Sequence, residues 1–368
     1  MVLEEARMTL DLFQTLPDVD EKRLHSKYKV LRDHLALSGE LEVLKDWISG
    51  FRDRDNKIVK EFQTSFHSAL WEIFLHAFLK EADLQVDYSK NRPDFCVTSP
   101  MRVFVEAVVS EIKKEGRKEE TRGFGDLLDT TEPLVKSAQF DEVIDEAITR
   151  HSNSIRQKSA KYLNEYLSLQ WVDRSSPFVI ALGSYDQIHY GREFTYSMLA
   201  LLYGMRYNKR NKSHEKIEEI TKPGTTSLIP VGIFLDKEFS HISAIIFSCT
   251  VTLGKLTSMA ISRGIYRGIN EVFNVRHDME LPHFKGQIVT PESPEYLSDG
   301  VFVFFNPNAK NPLPTDFFGK TNALSIFELD GDITAFGKNL PIVQRFNLPK
   351  NIEHSAMFYE SILLKFNS

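Results

Sequence analysis

The chain has 368 residues, enough for one large domain or two medium-sized ones with a well-buried core. Its composition, 42% hydrophobic and 26% charged, is typical of globular proteins, and the formal net charge of −6 excludes a polycationic nucleic-acid-binding protein. There is no apolar run of about 18 residues and no secretory signal, so we expect a cytoplasmic protein that does not contact a membrane.

The first 60 residues are expected to form a helical extension. Apolar residues at helical spacing predict helices at about 3–13, 24–38 and 41–48, and Pro17 separates the first two. Residues 50–60 are a charged connector that leads into the next helix.

A helix is predicted from about Lys60 to Glu81, and it is apolar on nearly all of its sides. Such helices are usually buried, and an unpaired buried carboxylate costs several kcal/mol. The carboxylate of Glu72 therefore requires an explanation. It lies at an exposed helix edge, pairs with a cation, or binds a metal ion.

Two further carboxylates lie on the strands predicted after this helix. Residues 84–86 form a first strand, Asp94 opens a second one, and residues 102–109 form a third, on which Glu106 has apolar neighbours. Asp94 and Glu106 are separated by a turn, so they can converge on one hard cation such as Mg²⁺, with Glu72 as a third ligand.

The next segments complete an alternation of helices and strands. Residues 111–132 are charged and predict a mobile loop, residues 140–169 a long helix, and residues 177–182 a buried strand. Lys158 shares the inner face of the long helix with Ile155 and Tyr162. The order of elements predicts an α/β layer structure.

The C-terminal half gives a weaker pattern. We expect a helix at 194–202, an exposed loop at 205–226 and a closing helix at 354–365. Strands are predicted at 228–235, 242–251, 301–305, 323–329 and 333–336. Residues 254–269 carry little signal and residues 274–300 appear irregular. The predicted domains are 1–60, 61–205 and 206–368, the last packed on or completing the second.

The sequence of Glu72 on a helix, Pro93-Asp94 at a strand and Glu106 on the following strand resembles the PD-(D/E)XK nuclease superfamily. The matching segments are ALWEIFLHAFL, NRPDF and FVEAVV, and the resemblance covers about residues 61–182. It implies a restriction-endonuclease-like core, a mixed sheet flanked by helices, with a helical N-terminal extension and an α/β C-terminal part.

The same resemblance implies a hydrolase. It would be a Mg²⁺- or Mn²⁺-dependent endonuclease that cleaves DNA, with Glu72, Asp94 and Glu106 as metal ligands, and with a role in bacterial defence against phage or other foreign DNA. RNA is an alternative substrate. A homodimer, or a protein encoded in the same operon, is an alternative partner.

One position departs from the family pattern. The family has a lysine two residues after the glutamate, and Val108 stands there in this chain. Some members carry the lysine elsewhere, so Lys158 is the first candidate for a catalytic replacement, with Lys113 and Lys161 as weaker ones. The alternative is a catalytically inactive nuclease-fold protein that binds a partner.

Other chemistries find less support. The chain has neither a GxxxxGK[ST] phosphate loop nor a GxSxG elbow, and Cys96 and Cys249 are expected to be buried free thiols. Lone histidines such as His67 and His76 are expected to be structural. The basic residues that could surround the acids on DNA are Arg92, Arg102, Lys113, Lys114, Lys158, Arg206, Lys209, Arg210 and Lys212.

Overall fold

The structure is a computed structural model that describes residues 10–112, 116–278, 280–350 and 355–368. Its helices are α1 (Ser26–Asp33), α2 (Ser38–Ile48), α3 (Ile58–Thr64), α4 (Phe66–Glu81), α5 (Phe124–Asp129), α6 (Phe140–Asn164), α7 (Tyr196–Tyr203), α8 (Leu253–Ser262) and α9 (Ser355–Asn367). Its strands are β1 (Gln85–Val86), β2 (Phe95–Ser99), β3 (Val103–Ser110), β4 (Phe178–Ser184), β5 (Met205–Asn208), β6 (Ser213–Lys216), β7 (Glu219–Thr221), β8 (Leu228–Pro230), β9 (Ala244–Ser248), β10 (Asn270–His277), β11 (Phe284–Ile288), β12 (Phe302–Phe305), β13 (Leu324–Leu329), β14 (Asp332–Phe336) and β15 (Ile342–Pro349).

The main sheet has the strand order β1-β2-β3-β4-β9-β12-β13-β14. It is a mixed sheet. The pairs β3–β4 and β4–β9 are parallel, whereas the pairs β2–β3 and β9–β12 are antiparallel. Its strands come from both halves of the chain. The predicted α/β architecture, a large mixed sheet flanked by helices, is confirmed.

Helices cover both faces of this sheet. On one face, α4 and the helices before it pack against Val103, Val105 and Val179. On the other face, α6 and α7 pack against Phe104 and Phe178. The alternation predicted for β3 therefore holds, because successive side chains of a strand point to opposite faces. None of the helices in the described parts of the chain is long and apolar enough to cross a membrane.

A smaller sheet, β11-β10-β15, adjoins α8 through buried charges. The carboxylate of Glu295 accepts hydrogen bonds from Lys255 Nζ at 2.6 Å, Ser258 Oγ at 2.5 Å and Asn274 Nδ2 at 2.9 Å, and it also pairs with Arg345. Lys255 and Glu295 are both inaccessible to solvent. Buried charges are tolerated when they are paired in this way, so this network fixes how the small sheet docks.

The helix predicted for residues 60–81 is wrong as a single element. Ser65, with φ −127° and ψ 44°, is not helical and separates α3 from α4. Phe62 and Phe66 lie on either side of the break, are both fully buried, and have ring centroids 5.0 Å apart. Apolar spacing alone did not reveal it, because both helices carry the same kind of stripe.

Two further predictions for the C-terminal half are wrong, and one segment without a prediction is helical. Residues 205–226 hold the hairpin β5–β6 and strand β7, and residues 274–300 include the second half of β10 and all of β11. Residues 254–269, which carried little signal, contain most of α8. Strand β15 was not predicted at all. Asn274 and Arg276 on β10 face the buried charge network, so polar residues occupy interior positions and hide the strand alternation.

Two N-terminal expectations also change. Residues 10–13 of the helix predicted at 3–13 are not helical, and its first part lies outside the described residues. The segment predicted as a mobile loop, 111–132, contains α5 and a 3₁₀ turn at Glu119–Thr121, whereas Lys113 and Lys114 lie outside the described residues.

Cys96 and Cys249 are buried free thiols, as predicted.

Candidate functional site

A cleft of about 580 Å³ opens between α4 and α6 where β2 diverges from β3. The pairing of β2 with β3 runs from Val97↔Val103 to Phe95↔Val105, whereas the pairing of β3 with β4 continues to Ser110. Ala107 to Val109 therefore form the floor. The lining residues come from four segments: Ser68, Trp71, Glu72, Asp94, Ala107, Val108, Val109, Glu111, Arg150, Asn153, Ser154, Gln157 and Lys158.

Glu72 and Asp94 both face this cleft. Asp94 directly precedes β2, and its Oδ2 accepts a hydrogen bond of 2.7 Å from the backbone N–H of Ala107. This bond holds the Asp94 carboxylate against the part of β3 that is not paired with β2. Glu72 lies on α4, and its side chain is 23% exposed.

Arg54 approaches the same two acids. Its guanidinium donates to the carbonyl oxygens of Lys90, at 2.8 Å, and Pro93, at 3.2 Å, and lies 3.9 Å from Glu72 Oε1. It thereby anchors the turn that carries Asp94. Residues 50–60 are predicted only as a charged connector, and nothing in their spacing indicates this long-range contact.

Glu106 lies behind the cleft rather than in its lining. Its side chain is fully buried on the α6 face of the sheet. Oε1 accepts hydrogen bonds from Lys158 Nζ at 2.8 Å and Lys161 Nζ at 3.0 Å, and Oε2 accepts one from Tyr166 Oη at 2.9 Å. The carboxylate that needed an explanation in the sequence is therefore the acceptor of an ion-pair network.

The electrostatic situations of the three acids differ. Burial, together with the charge of Asp94, raises the pKa of Glu72, and burial with the charge of Glu106 raises the pKa of Asp94 to about 6. For Glu106, burial acts to raise the pKa, but the two lysines outweigh it and hold the pKa below its ordinary value. The cations thus compensate Glu106 and leave Glu72 and Asp94 poorly compensated.

The predicted site residues thus lie in or next to one cleft, but the three predicted acids do not form one set of metal ligands. Glu72, Asp94 and Lys158 line the cleft, and Lys158 connects it to Glu106. Among the described residues, His25, His67 and Glu119 are a group of three whose donor atoms all lie within 4.8 Å of one another, and the three predicted acids do not form such a group. Lys161 contacts Glu106 but does not line the cleft.

A second buried polar network borders the cleft. Arg150 is paired with Glu193 and donates to Ser110 Oγ at 2.8 Å, and Ser184 Oγ donates to Glu193 Oε2 at 2.7 Å. His151 also contacts Glu193, with 3.2 Å between Nε2 and Oε2. This network was not predicted, although adjacent Arg150 and His151 on a largely buried helix are a signal for it in the sequence.

The basic cluster predicted around residues 206–212 is not part of this site. Arg206 pairs with Asp141 and Asp145 near the start of α6. Lys158 follows Asp145 by 13 positions, which corresponds to about 20 Å along a helix. Arg92 is 3.8 Å from Glu165 at the other end of α6. Of the predicted basic residues, Lys158 lies beside the acids, together with Arg54 and Lys161, and Arg150 also lines the cleft.

Glu72 and Asp94 fit a divalent cation better than Glu106 does. Burial is the main cause of their raised pKa values, and a neighbouring carboxylate adds to it, Asp94 for Glu72 and Glu106 for Asp94; a bound cation relieves this situation. Both oxygens of Glu106 already accept hydrogen bonds from lysine or tyrosine. No family model, curated protein or solved structure matches the chain.

Proposed function

We propose that the protein is a metal-dependent nuclease with a restriction-endonuclease-like core, acting on DNA at the cleft between α4 and α6. The observation that carries the proposal is that Glu72, Asp94 and Lys158, from three separate segments, line one cleft. Two acids and a lysine at one site are the groups that metal-assisted phosphodiester hydrolysis requires. A defence role against foreign DNA stays a prediction from the resemblance.

The order of elements supports the proposed core. Helix α4, the antiparallel strands β2 and β3, helix α6 and the parallel strand β4 follow one another in the order that the resemblance implies. Asp94 and Glu106 lie next to a paired position of β2 and β3, since Asp94 precedes Phe95 and Glu106 follows Val105 in the register Phe95↔Val105.

The position of Lys158 supports a replacement for the lysine absent at Val108. Both side chains line the cleft, and Lys158 Nζ lies 2.8 Å from Glu106 Oε1. An ammonium held by Glu106 at the cleft wall can orient a water molecule or contact a phosphate oxygen. Lys158 comes from α6, so the strand itself need not carry the cation.

In this proposal Glu72 and Asp94 hold the Mg²⁺ or Mn²⁺ ion. When bound, such an ion activates water and stabilises the charge that develops on the phosphoryl group. The chain's own residues contribute in other ways. The backbone N–H of Ala107 orients the Asp94 carboxylate. Glu106 positions the Lys158 ammonium, and Lys161 and Tyr166 donate hydrogen bonds to the same Glu106 carboxylate.

The test is cleavage of supercoiled and linear DNA by the purified chain with Mg²⁺ or Mn²⁺, compared with EDTA. We expect Asp94→Asn and Lys158→Met each to lose at least about a hundredfold in rate, of the order seen when a charge-stabilising group is removed. The control is Lys80→Met, an exposed lysine at the end of α4 that does not line this cleft. Cleavage that survives Asp94→Asn unchanged, or no cleavage of DNA or RNA with either ion, contradicts the proposal.

The second candidate function is a catalytically inactive nuclease-fold binding protein. One observation favours it: both oxygens of Glu106 are occupied by Lys158, Lys161 and Tyr166, which leaves the third predicted ligand engaged. This candidate predicts retention of labelled DNA without turnover, and retention that is insensitive to Mg²⁺. Filter binding beside the cleavage assay separates the two candidates.

A further inference from the structure

A cluster of two imidazoles and one carboxylate is formed by residues that do not line the cleft. His25 is the N-cap of α1, His67 is in the first turn of α4, and Glu119 begins the 3₁₀ turn after β3. One donor atom from each lies within 4.8 Å of the others. We propose that these three residues bind a first-row transition-metal ion, with Zn²⁺ as the reference ion.

The ligand chemistry suits such an ion. Two histidines with one glutamate is a ligand set that zinc sites use, and a fourth tetrahedral position remains for water. Bonds of about 2.0–2.2 Å place neighbouring ligand atoms about 3.3 Å apart. His67 Nε2 and Glu119 Oε1 are 2.8 Å apart, so a small opening of this pair makes room for the ion.

Two polar atoms of the cluster are buried and have no hydrogen bond. His67 is 6% exposed and Glu119 8% exposed, and neither His67 Nδ1 nor Glu119 Oε2 has a hydrogen-bond partner. Buried polar atoms normally have partners, and each exception calls for an explanation. Glu119 Oε2 lies 3.4 Å from the Lys27 ammonium without a hydrogen bond, so it keeps a lone pair that a bound ion can use.

The charge states are also suitable. Burial, with the neighbouring His67, lowers the pKa of His25 to about 4, so its imidazole is neutral and carries a free lone pair at neutral pH. Burial acts to raise the pKa of Glu119, but the hydrogen bond from His67 and the surrounding positive charges outweigh it and lower that pKa to about 2. Ligation needs a neutral imidazole and an ionised carboxylate.

Binding rearranges three local contacts. The proton that His67 Nε2 donates to Glu119 Oε1 moves to the unpartnered Nδ1, so the imidazole stays neutral and its Nε2 lone pair is free for the ion. If His25 binds through Nε2, its proton moves to Nδ1 and the 3.2 Å hydrogen bond from the Lys27 backbone N–H is lost. The Lys27 ammonium, 3.4 Å from Glu119 Oε2 and 21% exposed, swings outward.

The site connects segments that are far apart in the sequence. The His25 backbone N–H donates to Gln63 O at 2.8 Å, and the His67 ring stacks on Tyr185. A metal ion here therefore ties α1 and the turn after β3 to the rigid start of α4. The same turn begins eight residues after Glu111, which lines the cleft.

The test is isothermal titration of the EDTA-stripped full chain with Zn²⁺, beside His25→Ala and Glu119→Gln. We expect one equivalent to bind at this site, with a Kd raised at least tenfold in both variants and unchanged in His34→Ala, an exposed histidine outside the cluster. Asp94→Asn keeps this binding, which distinguishes it from any ion in the cleft. A change below tenfold in either variant overturns the proposal.

A second measurement does not depend on the variants folding. Co²⁺ added to the stripped, unaltered chain should give intense visible bands of low coordination number, removed by one equivalent of Zn²⁺. Histidine NMR signals of two residues should shift together with that titration. Absence of the bands, or bands without shifted histidine signals, overturns the proposal whatever the variants do. The outcome is independent of whether the cleft cuts DNA.

Discussion

Replacing Asp94 with asparagine should stabilise the metal-free protein at alkaline pH. The substitution keeps an oxygen that can accept the hydrogen bond from Ala107 but removes a charge that the fold disfavours. Burial and the charge of Glu106 raise the pKa of Asp94 from 3.8 to about 6. A raised carboxyl pKa means that the folded state binds the proton more tightly than the unfolded state does.

The magnitude follows from this difference. About two pKa units at about 1.4 kcal/mol each correspond to about 3 kcal/mol of stability lost when Asp94 ionises. Relaxation and water penetration reduce the effect, so we expect the variant to gain about 1–3 kcal/mol at pH 8. The penalty is absent below pH 4 and grows as pH rises through the window from about 4 to 6. The variant's advantage should therefore disappear near pH 4.

The assay is urea unfolding in EDTA at pH 4, 6 and 8, repeated with Mg²⁺. An ion bound by Asp94 stabilises the unaltered protein by about 1.4 kcal/mol at ten times its Kd, and it should not stabilise the variant. The control is Asp332→Asn, an exposed aspartate at the start of β14. A variant that is less stable than the parent at pH 8 in EDTA, or equal stabilisation of both by Mg²⁺, refutes the reasoning.

Three other substitutions test the charge networks. Lys158→Met removes one of two ammonium groups that lower the pKa of Glu106. We expect the pKa of Glu106, followed by carboxyl NMR, to rise and the free energy of unfolding at pH 7 to fall by about 1–2 kcal/mol. This loss of stability should vanish at a pH low enough to protonate Glu106. Lys255→Met leaves the buried Glu295 undercompensated and should lower the free energy of unfolding by about 3 kcal/mol in urea; an unchanged value contradicts the network's role. Arg54→Gln removes a charge that lowers the raised pKa of Glu72, so this pKa should rise further and stability should fall more between pH 5 and 8 than in the parent; parallel pH profiles contradict this.

Local patterns predicted the elements that form the cleft. The alternation on β3 assigned Glu106 to one face, and helical spacing assigned Lys158 to the inner face of α6, and these two side chains meet at 2.8 Å. Each inference needed only a period of 2 or 3.6 residues, which the sequence displays directly. The existence of these elements was therefore predictable, and so was the α/β class.

The partners of the charges were not predictable in the same way. Arg54 reaches Pro93, and Glu40 accepts a hydrogen bond from Thr257, across separations that no local pattern records. The same reason explains the missed α8 and β10. Their interior positions carry Lys255, Asn274 and other polar groups that become acceptable inside only when Glu295 is also there.

The distribution of charge around the cleft decides where a metal ion is expected. Three carboxylates, Glu72, Asp94 and Glu106, are accompanied by cations that balance them in number, yet the lysines bind only Glu106 while Arg54 stays 3.9 Å from Glu72. The two cleft acids therefore keep raised pKa values and a deficit of positive charge. A divalent ion removes that deficit at Glu72 and Asp94, whereas at Glu106 it would have to displace two ammonium groups. The prediction from sequence that all three acids ligate one ion is thus best tested by asking whether Glu106→Gln, unlike Asp94→Asn, leaves Mg²⁺ stabilisation intact. If Glu106→Gln abolishes that stabilisation, the lysines must leave when the ion binds, and Glu106 is a ligand after all.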